Sequence, residues 1–460
     1  MNRLVLGAVT LALLSACAAG PDYHRPSVAS SEAYKELGDW KPSEPASVLQ
    51  QDAWWKIFQD PVLDDLEHQV EVSNQNIKVA AASYEQALAL LRQSHAAFWP
   101  AISANASSER AQTGTLPRRT VDNIGASAAW EIDLWGQLRR LAEADKASAQ
   151  ASAANLAAAQ LSARAALATA YFELRAQDEL RRILDDTVMA EEQSLKITQN
   201  RYRVGVAAKA DVVTAQTQLL SSQALQLNAR VPRAQLEHAI AVLTGHTPAG
   251  FSIEPVPFRT DVPTVPVGLP SALLERRPDI ATAERRMAAA NAQIGAAKAA
   301  YFPSLNLAGS LSYAGSTFGN AVKAANRVWS LGPQLALSVF DGGLRRSQTA
   351  QARAAYDASV ATYRQTVLTA FQQVEDDLVS LRTLEEQSVI ETNLVKAAQE
   401  AQQLVLNQYK AGTVPYSSVI TAQTTAFASE QQALTVLLNR LTNSISLIAA
   451  VGGGWTTGSP

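Results

Sequence analysis

The side chains that could carry covalent or metal chemistry are few and scattered. The chain has one cysteine, Cys17, and five histidines, His24, His68, His95, His238 and His246. A lone thiol cannot close an internal disulfide, and no CxxC, HxxxH or HExxH spacing offers zinc a set of ligands. No phosphate loop and no Ser/His/Asp order is present to support hydrolysis. The acid pairs Asp185-Asp186 and Asp376-Asp377 sit inside helix-forming runs, where they read as solvated faces. A net charge of −3 with only 18% charged residues gives no basic footprint for nucleic acid. The expectation is a protein that is not an enzyme, without a metal or a bound cofactor.

Cys17 has a specific context. Arg3 precedes an apolar run from Leu4 to Leu14 that is too short to span a bilayer stably. Residues 1–16 therefore read as a secretory signal peptide. The run ends in Leu14-Ser15-Ala16-Cys17, which resembles a lipobox. In that pattern the thiol takes a diacylglycerol, and cysteine becomes the acylated N-terminus of the mature chain. Position 18 is Ala and not Asp, which favours outer-membrane delivery. Each buried CH₂ of such an anchor contributes roughly 0.8 kcal/mol, and several chains together hold firmly. Beyond the signal no apolar stretch of about 18 residues stands out, so no spanning helix is expected. Any spanning falls to strands in a closed barrel.

The elements that position these residues come in two copies. The chain repeats itself with a period of about 205 residues. Ala96-Ala97-Phe98-Trp99-Pro100 matches Ala299-Ala300-Tyr301-Phe302-Pro303, and Gly136-Gln137-Leu138-Arg139-Arg140 matches Gly342-Gly343-Leu344-Arg345-Arg346. Arg201-Tyr202-Arg203-Val204-Gly205 matches Gln408-Tyr409-Lys410-Ala411-Gly412, and Thr214-Ala215-Gln216-Thr217 recurs as Thr421-Ala422-Gln423-Thr424. Residues 137–204 and 344–411 hold no Gly or Pro and are rich in good helix formers. Each can be one helix of about 100 Å at 1.5 Å per residue. Such lengths mean a coiled coil or a helical tube. The stripe Leu394, Ala397, Ala398, Ala401, Leu404, Val405, Gln408 is Ala-rich and no strict heptad. Gly205 and Gly412 can end the long helices in left-handed caps. Shorter helices are expected over about 62–98, 209–244, 277–300 and 416–451, so that two half-length helices end to end flank one full-length helix.

Between these helices the period switches to 2. Ile102, Ala104 and Ala106, then Ile124, Ala126, Ala128, Trp130, Ile132 and Leu134, alternate with mostly polar or small residues. Leu305, Leu307, Leu311 and Tyr313, then Trp329, Leu331, Leu335, Leu337 and Val339, do the same in the second repeat. Strands of about 10 residues with one apolar side suit an outer-membrane barrel. Thr113–Asp122 and Gly315–Asn326 read as the hairpin loops. Four strands cannot close around a lumen, because the smallest bacterial barrels use about eight. Edges left bare in lipid are prohibitive, so the sheet must pair with other copies. A dimer would supply 8 strands and a trimer 12.

The Pro-dense stretch holding Pro248, Pro255, Pro257, Pro263, Pro266, Pro270 and Pro278 forbids a continuous helix. It is expected to pack outside the helices with residues 38–60, where Trp54, Trp55 and Phe58 anchor, and with the C-terminal tail. The segment from Cys17 to about Gly38 reads as an extended tether. The chain thus divides into a signal peptide (1–16), a tether and belt segment (17–60), a first repeat (61–245), a Pro-rich linker (246–276), a second repeat (277–452) and a tail (453–460). The first repeat has strands within about 100–134 and helices over about 136–203 and 209–244. The second has strands within about 303–340 and helices over about 343–410 and 416–451.

Across nearly its whole mature length the chain resembles the TolC-like outer-membrane factors, in the lipoprotein branch that serves resistance–nodulation–division (RND) pumps. The residues that carry the likeness are Cys17-Ala-Ala-Gly-Pro-Asp-Tyr-His-Arg-Pro26, Gly268-Leu-Pro-Ser-Ala-Leu-Leu-Glu-Arg-Arg-Pro-Asp-Ile280 and Ala289-Ala-Asn-Ala-Gln-Ile-Gly295. The resemblance implies a mainly α fold with a membrane β-barrel. A homotrimer would close a 12-stranded β-barrel continuing into a 12-helix periplasmic α-barrel, with a mixed equatorial region. It implies a periplasmic adaptor protein and an inner-membrane RND transporter as partners, and a tip closed at rest.

The resemblance also points to the tip. In the family, hydrogen bonds between the two helix hairpins help to hold it shut. Asp211 and Tyr409 stand at matching positions, so a Tyr-hydroxyl to carboxylate bond is the candidate latch; the alternative is that both are exposed turn residues. Family members often carry an Arg two residues after the hairpin Gly, where this chain has Val414. Ser417, Ser418 and Thr421 replace the acidic or large apolar constricting side chains of some members. A hydroxyl-lined gate is the expectation, with Gly205 and Gly412 at the hairpin turns.

Two functional classes follow. One is a passive exit duct of the cell outer membrane for drugs or other small solutes, with its energy supplied by a partner pump. The other is a structural or adhesive coiled-coil lipoprotein, which the alternating strands and the missing heptad disfavour.

Overall fold

A computed structural model describes residues 19–27, 34–37, 53–112, 114–258, 261–265 and 276–455. The signal segment and Cys17 lie outside the described residues. In chain order the main elements are α1 (Pro61–Ser73), α2 (Gln75–Ala96), β1 (Ala101–Ala111), β2 (Arg119–Ile132), α3 (Gln137–Arg203), α4 (Lys209–Asn228), α5 (Arg230–Leu243), α6 (Pro278–Ala299), β3 (Ser304–Gly315), β4 (Arg327–Ala336), α7 (Leu344–Ala411) and α8 (Tyr416–Ala450).

The helices differ from the sequence expectation at two points, and each has a local cause. The helix expected over about 62–98 breaks at Asn74, whose backbone is extended (φ −62, ψ 124). Its buried carboxamide caps α2, accepting from the N–H groups of Asn76 at 2.9 Å and Ile77 at 3.1 Å, and donates to the Leu243 carbonyl at 2.8 Å. The helix expected over about 209–244 breaks at Ala229. Pro232 lacks an N–H, and its ring crowds the carbonyl four residues back. The second repeat has no proline at the matching place, and α8 runs unbroken.

α8 also corrects the expectation that no spanning-length apolar stretch remains. It is long and apolar enough to cross a membrane by length and composition. Its apolar face has protein partners, since Leu441, Ile445, Leu447 and Ile448 are buried in a hydrophobic core. At the strands, β2 already begins at Arg119, inside the expected loop, and β4 ends at Ala336. Leu337 and Val339 lie beyond the strand and are exposed.

The chain forms two compact units, each drawing on both sequence repeats. The first comprises Met1–Val28, Ala81–Asn155 and Asp279–Thr366; the second comprises Ala29–Ala80, Leu156–Pro278 and Val367–Pro460.

The first unit contains the sheet, in the antiparallel order β1-β2-β3-β4. Its register lines up rows across all four strands. Ile102, Ala128, Gly309 and Leu331 form one row, and Ala104, Ala126, Leu311 and Trp329 the next. The alternate rows are Ser103, Ser127, Ser310, Ser330 and Asn105, Gly125, Ser312, Val328. Side chains alternate faces along a strand, so one face is mainly apolar and the other mainly small and polar. The apolar face is left bare: Ile102, Trp329, Leu331 and Leu335 are 76%, 67%, 69% and 69% exposed.

Residues 19–27 form a strap in the same unit, where a loose tether was expected. Ala19 donates to the Trp135 carbonyl at 3.0 Å, and Arg140 reaches Asp22 at 2.8 Å and the Ala19 carbonyl at 3.2 Å. The Tyr23 hydroxyl donates to Glu284 at 2.5 Å, and Arg25 donates to Tyr363 at 3.0 Å.

The second unit has the principal core. Trp54, Trp55 and Phe58 are buried against Leu167, Phe172, Leu174 and Ile448, together with Ile253, Phe258 and Val265 of the Pro-rich linker. Asp60 caps α1 through the N–H of Val62 at 2.9 Å and accepts the Tyr171 hydroxyl at 2.6 Å. Asp178 pairs with Arg175 at 3.1 Å and Arg233 at 2.7 Å, and these arginines donate to the linker carbonyls of Glu254 and Ile253.

Candidate functional site at the two helix turns

The turns that close α3 and α7 are built alike. Gly205 and Gly412 have φ of +79 and +80, left-handed values that glycine adopts without cost. Gly205 donates to the Tyr202 carbonyl at 2.9 Å and Val206 to that of Arg201 at 2.9 Å. Gly412 donates to Tyr409 at 3.0 Å and Thr413 to Gln408 at 3.0 Å. This paired bonding satisfies the last helix carbonyls, and it lets each chain segment reverse within a few residues. After the first turn, the Asp211 carboxylate reaches back to the N–H of Ala208 at 3.4 Å, so it caps the start of α4.

Between the turns lies a small apolar cluster in the second unit. Tyr409, Tyr416, Val419 and Ala215 are buried, and Val414, Leu195, Ile197, Val405, Leu406 and Ile420 pack on them. The rings of Tyr409 and Tyr416 lie 5.3 Å apart at 59°. Burial pushes the Tyr416 phenol up to about 12, and the nearby charges of Glu191 and Asp211 raise it further.

The candidate latch is arranged differently from the expectation. The Tyr409 hydroxyl donates to Thr198 Oγ1 at 3.3 Å, not to Asp211. Tyr409 is 3% exposed and turned toward α3, while the Asp211 carboxylate is held at its own helix start. The alternative reading of both as exposed turn residues fails for Tyr409. Val414 is half-buried in the cluster, so its place is filled by packing.

Ser417 and Thr421 are exposed one helical turn apart on α8, and Thr421 donates to the Ser417 carbonyl at 3.1 Å. Thr425 continues this hydroxyl stripe, donating to the Thr421 carbonyl at 2.8 Å. Ser418 is half-buried beside it.

Arg201 is the residue the sequence reading missed. Its Nη1 donates to the Lys410 carbonyl at 2.8 Å, and its guanidinium carbon lies 4.9 Å from the centroid of the Tyr409 ring. It therefore ties the end of α3 to the end of α7. A signal was available in the repeat alignment, where Arg201 faces Gln408 and the internal symmetry breaks. Tyr202 and Tyr409 are also matched, yet Tyr202 is 46% exposed.

Comparison with known proteins agrees with this arrangement. The outer membrane efflux protein family matches residues 66–246 and 269–453, one segment for each repeat. A probable efflux pump outer membrane protein of Pseudomonas putida, TtgC, is 31% identical over 459 residues, covering 97% of this chain and 95% of the relative. The pyoverdine export outer membrane protein OpmQ of Pseudomonas aeruginosa is 30% identical over 457 residues, covering 96% and 95%. The solved structure of the outer-membrane channel OprN superposes with a TM-score of 0.87 at 29% identity, covering 95% of this chain and 100% of that one.

Proposed function

The chain belongs to the outer membrane efflux protein family, and on that premise we propose that three copies close one wall around a passive, water-filled exit duct. The protein is a channel component of an efflux system in the outer membrane. The sheet register carries the trimer reading. Its apolar face suits hydrocarbon and its Ser and Asn rows suit water. β1 and β4 are edges in a single chain, and only neighbouring copies can satisfy their backbone groups in lipid. Trp99, Tyr301 and Phe302, exposed near the strand ends, suit the aromatic girdle at a membrane interface.

The relatives are named as parts of pumps, so a periplasmic adaptor and an inner-membrane RND transporter are the proposed partners. The cargo is a small organic solute; OpmQ is named for pyoverdine export. Cys17 is the proposed site of the acyl and diacylglycerol chains that anchor the mature N-terminus. The turns at Gly205 and Gly412 form the periplasmic gate. Arg201, Tyr409 and Thr198 hold the two hairpins of a subunit together, Asp211 and Val414 shape the turns, and Ser417, Ser418 and Thr421 present hydroxyl groups to the lumen.

Reconstitution tests this reading. Purified protein should have the mass of three chains in detergent and give discrete conductance steps in a planar bilayer. A folded monomer, or a trimer that never conducts, would overturn it.

A further inference from the structure

In the second unit, a half-open cavity of about 160 Å³ lies between α3, α7 and α8. Asp186, Glu191, Gln399, Gln423, Phe427 and Glu430 form most of its wall, and no lysine or arginine lines it. Two acceptor atoms on this wall have no hydrogen-bond partner, Glu191 Oε2 and Gln423 Oε1. Both residues are deeply buried, at 2% and 4% exposure. A buried acceptor left unpaired costs about 1–3 kcal/mol, so their meeting in one cavity asks for a donor.

The surroundings fix which atoms face the space. Glu191 Oε1 accepts from Gln218 Nε2 at 3.0 Å, which leaves Oε2 for the cavity. Gln423 Nε2 donates to Ser194 Oγ at 3.0 Å. That hydroxyl uses its only hydrogen on the Ala190 carbonyl, at 3.0 Å. Ser194 can therefore only accept, and the Gln423 carboxamide cannot be turned round. Asp186 is met by Arg182 at 2.6 Å, whereas Glu430 receives a neutral donor, Gln399 Nε2. Glu191 also has only neutral donors, Gln218 and Ser222, and burial raises its pKa.

We propose that this cavity binds a primary alkylammonium ion, with its N–H donors on Glu191, Gln423 and Glu430 and its alkyl chain against Phe427 and Ala426. An ammonium group carries three donors and one charge, which match the unpaired acceptors and the excess of carboxylate. A cavity of about 150 Å³ holds a molecule of benzene size, so a chain of about four carbons fits. A quaternary ammonium has the charge without the donors, and an alcohol of the same length lacks the charge.

Calorimetry on the full-length protein in detergent tests this, with n-butylammonium chloride as the probe and empty micelles as the blank. Saturable binding of one ion per chain is expected, with net proton release at pH 5–6 as Glu191 gains a counter-ion. A hydrogen bond to a charged group is worth about 1.5–3 kcal/mol, so Glu191→Gln should weaken binding at least about tenfold. Gln423→Leu is the second variant, and it should weaken binding while leaving the charge in place. Tetramethylammonium and 1-butanol should not bind. The proposal is overturned if butylammonium gives no saturable heat, which would leave water as the occupant. Equal binding of either control, or unchanged affinity in both variants, overturns it as well.

Discussion

Arg201 lies over the Tyr409 ring and donates to the carbonyl of the very next residue, Lys410. One side chain at the end of α3 thus holds both the aromatic face and the final carbonyls of α7. The C-terminal end of a helix carries partial negative charge, which favours a cation there by about 0.3–1 kcal/mol. A cation over an aromatic face adds about 0.5–1 kcal/mol at an exposed site. Arg201→Ala should therefore loosen the link between the hairpins. The expected result is a several-fold rise in open probability in planar bilayers, with Arg201→Lys intermediate because lysine cannot fork. Conductance and open probability equal to the parent protein would reduce Arg201 to a surface contact.

The Tyr409 hydroxyl and Thr198 form a separable interaction. Tyr409→Phe keeps the ring under Arg201 and removes one hydrogen bond, a net loss of about 0.5–1.5 kcal/mol. A double-mutant cycle with Thr198→Val should give a coupling of about 1 kcal/mol in urea unfolding of the purified protein. The same cycle with Asp211→Asn should give none, because that carboxylate caps Ala208. Coupling to Asp211 but not to Thr198 would restore the tyrosine–aspartate latch.

Much of this was legible in the residues. The long helices follow from runs without Gly or Pro, and the strands from a period of 2. The left-handed turns follow from Gly205 and Gly412. The breaks were harder to see. Pro232 lay in plain view, but Asn74 looks like any polar residue of a helix until its carboxamide meets α2 and Leu243. The latch partner was misread because a sequence shows which residues flank a turn, not which face of the helix they occupy. Tyr202 and Tyr409 match in the alignment, yet the packing of α3 on α7 buries one and leaves the other exposed.

Gly20 and Gly295 belong to two sequence stretches that single out this chain, and they touch. A Cβ on Gly20, whose φ is +100, would lie 2.3 Å from Gly295 Cα, and a Cβ on Gly295 would meet the Ala19 carbonyl at 2.9 Å. Gly295→Val should therefore push the N-terminal strap off α6, breaking the Arg140–Asp22 and Asn291–Pro21 contacts. Limited proteolysis should then cut within residues 19–27 many times faster while the remainder stays intact. A strap as resistant as in the parent would show that the helix accommodates the side chain.

Glu67 should set a pH dependence of stability. It is fully buried, and neither carboxylate oxygen has a hydrogen-bond partner. Burial pushes its pKa up to about 9, Asp64 adds to the rise, and Arg164 opposes it. Arg164 is directed elsewhere, pairing with Glu71 at 3.3 Å and lying over Trp55. The folded state thus binds a proton more tightly than the unfolded chain, whose pKa is 4.5. Stability from this group is complete below pH 4.5 and falls as pH rises toward about 9, by at most about 1.4 kcal/mol per pH unit. Glu67→Gln is uncharged throughout and escapes this loss. At pH 7 it should be more stable than the parent by about 1–3 kcal/mol, with little difference at pH 4.5. Thermal midpoints of the two proteins at pH 4.5, 7 and 8.5 measure this. Parallel midpoints across the range would mean that water or Arg164 keeps Glu67 ionised in the folded protein.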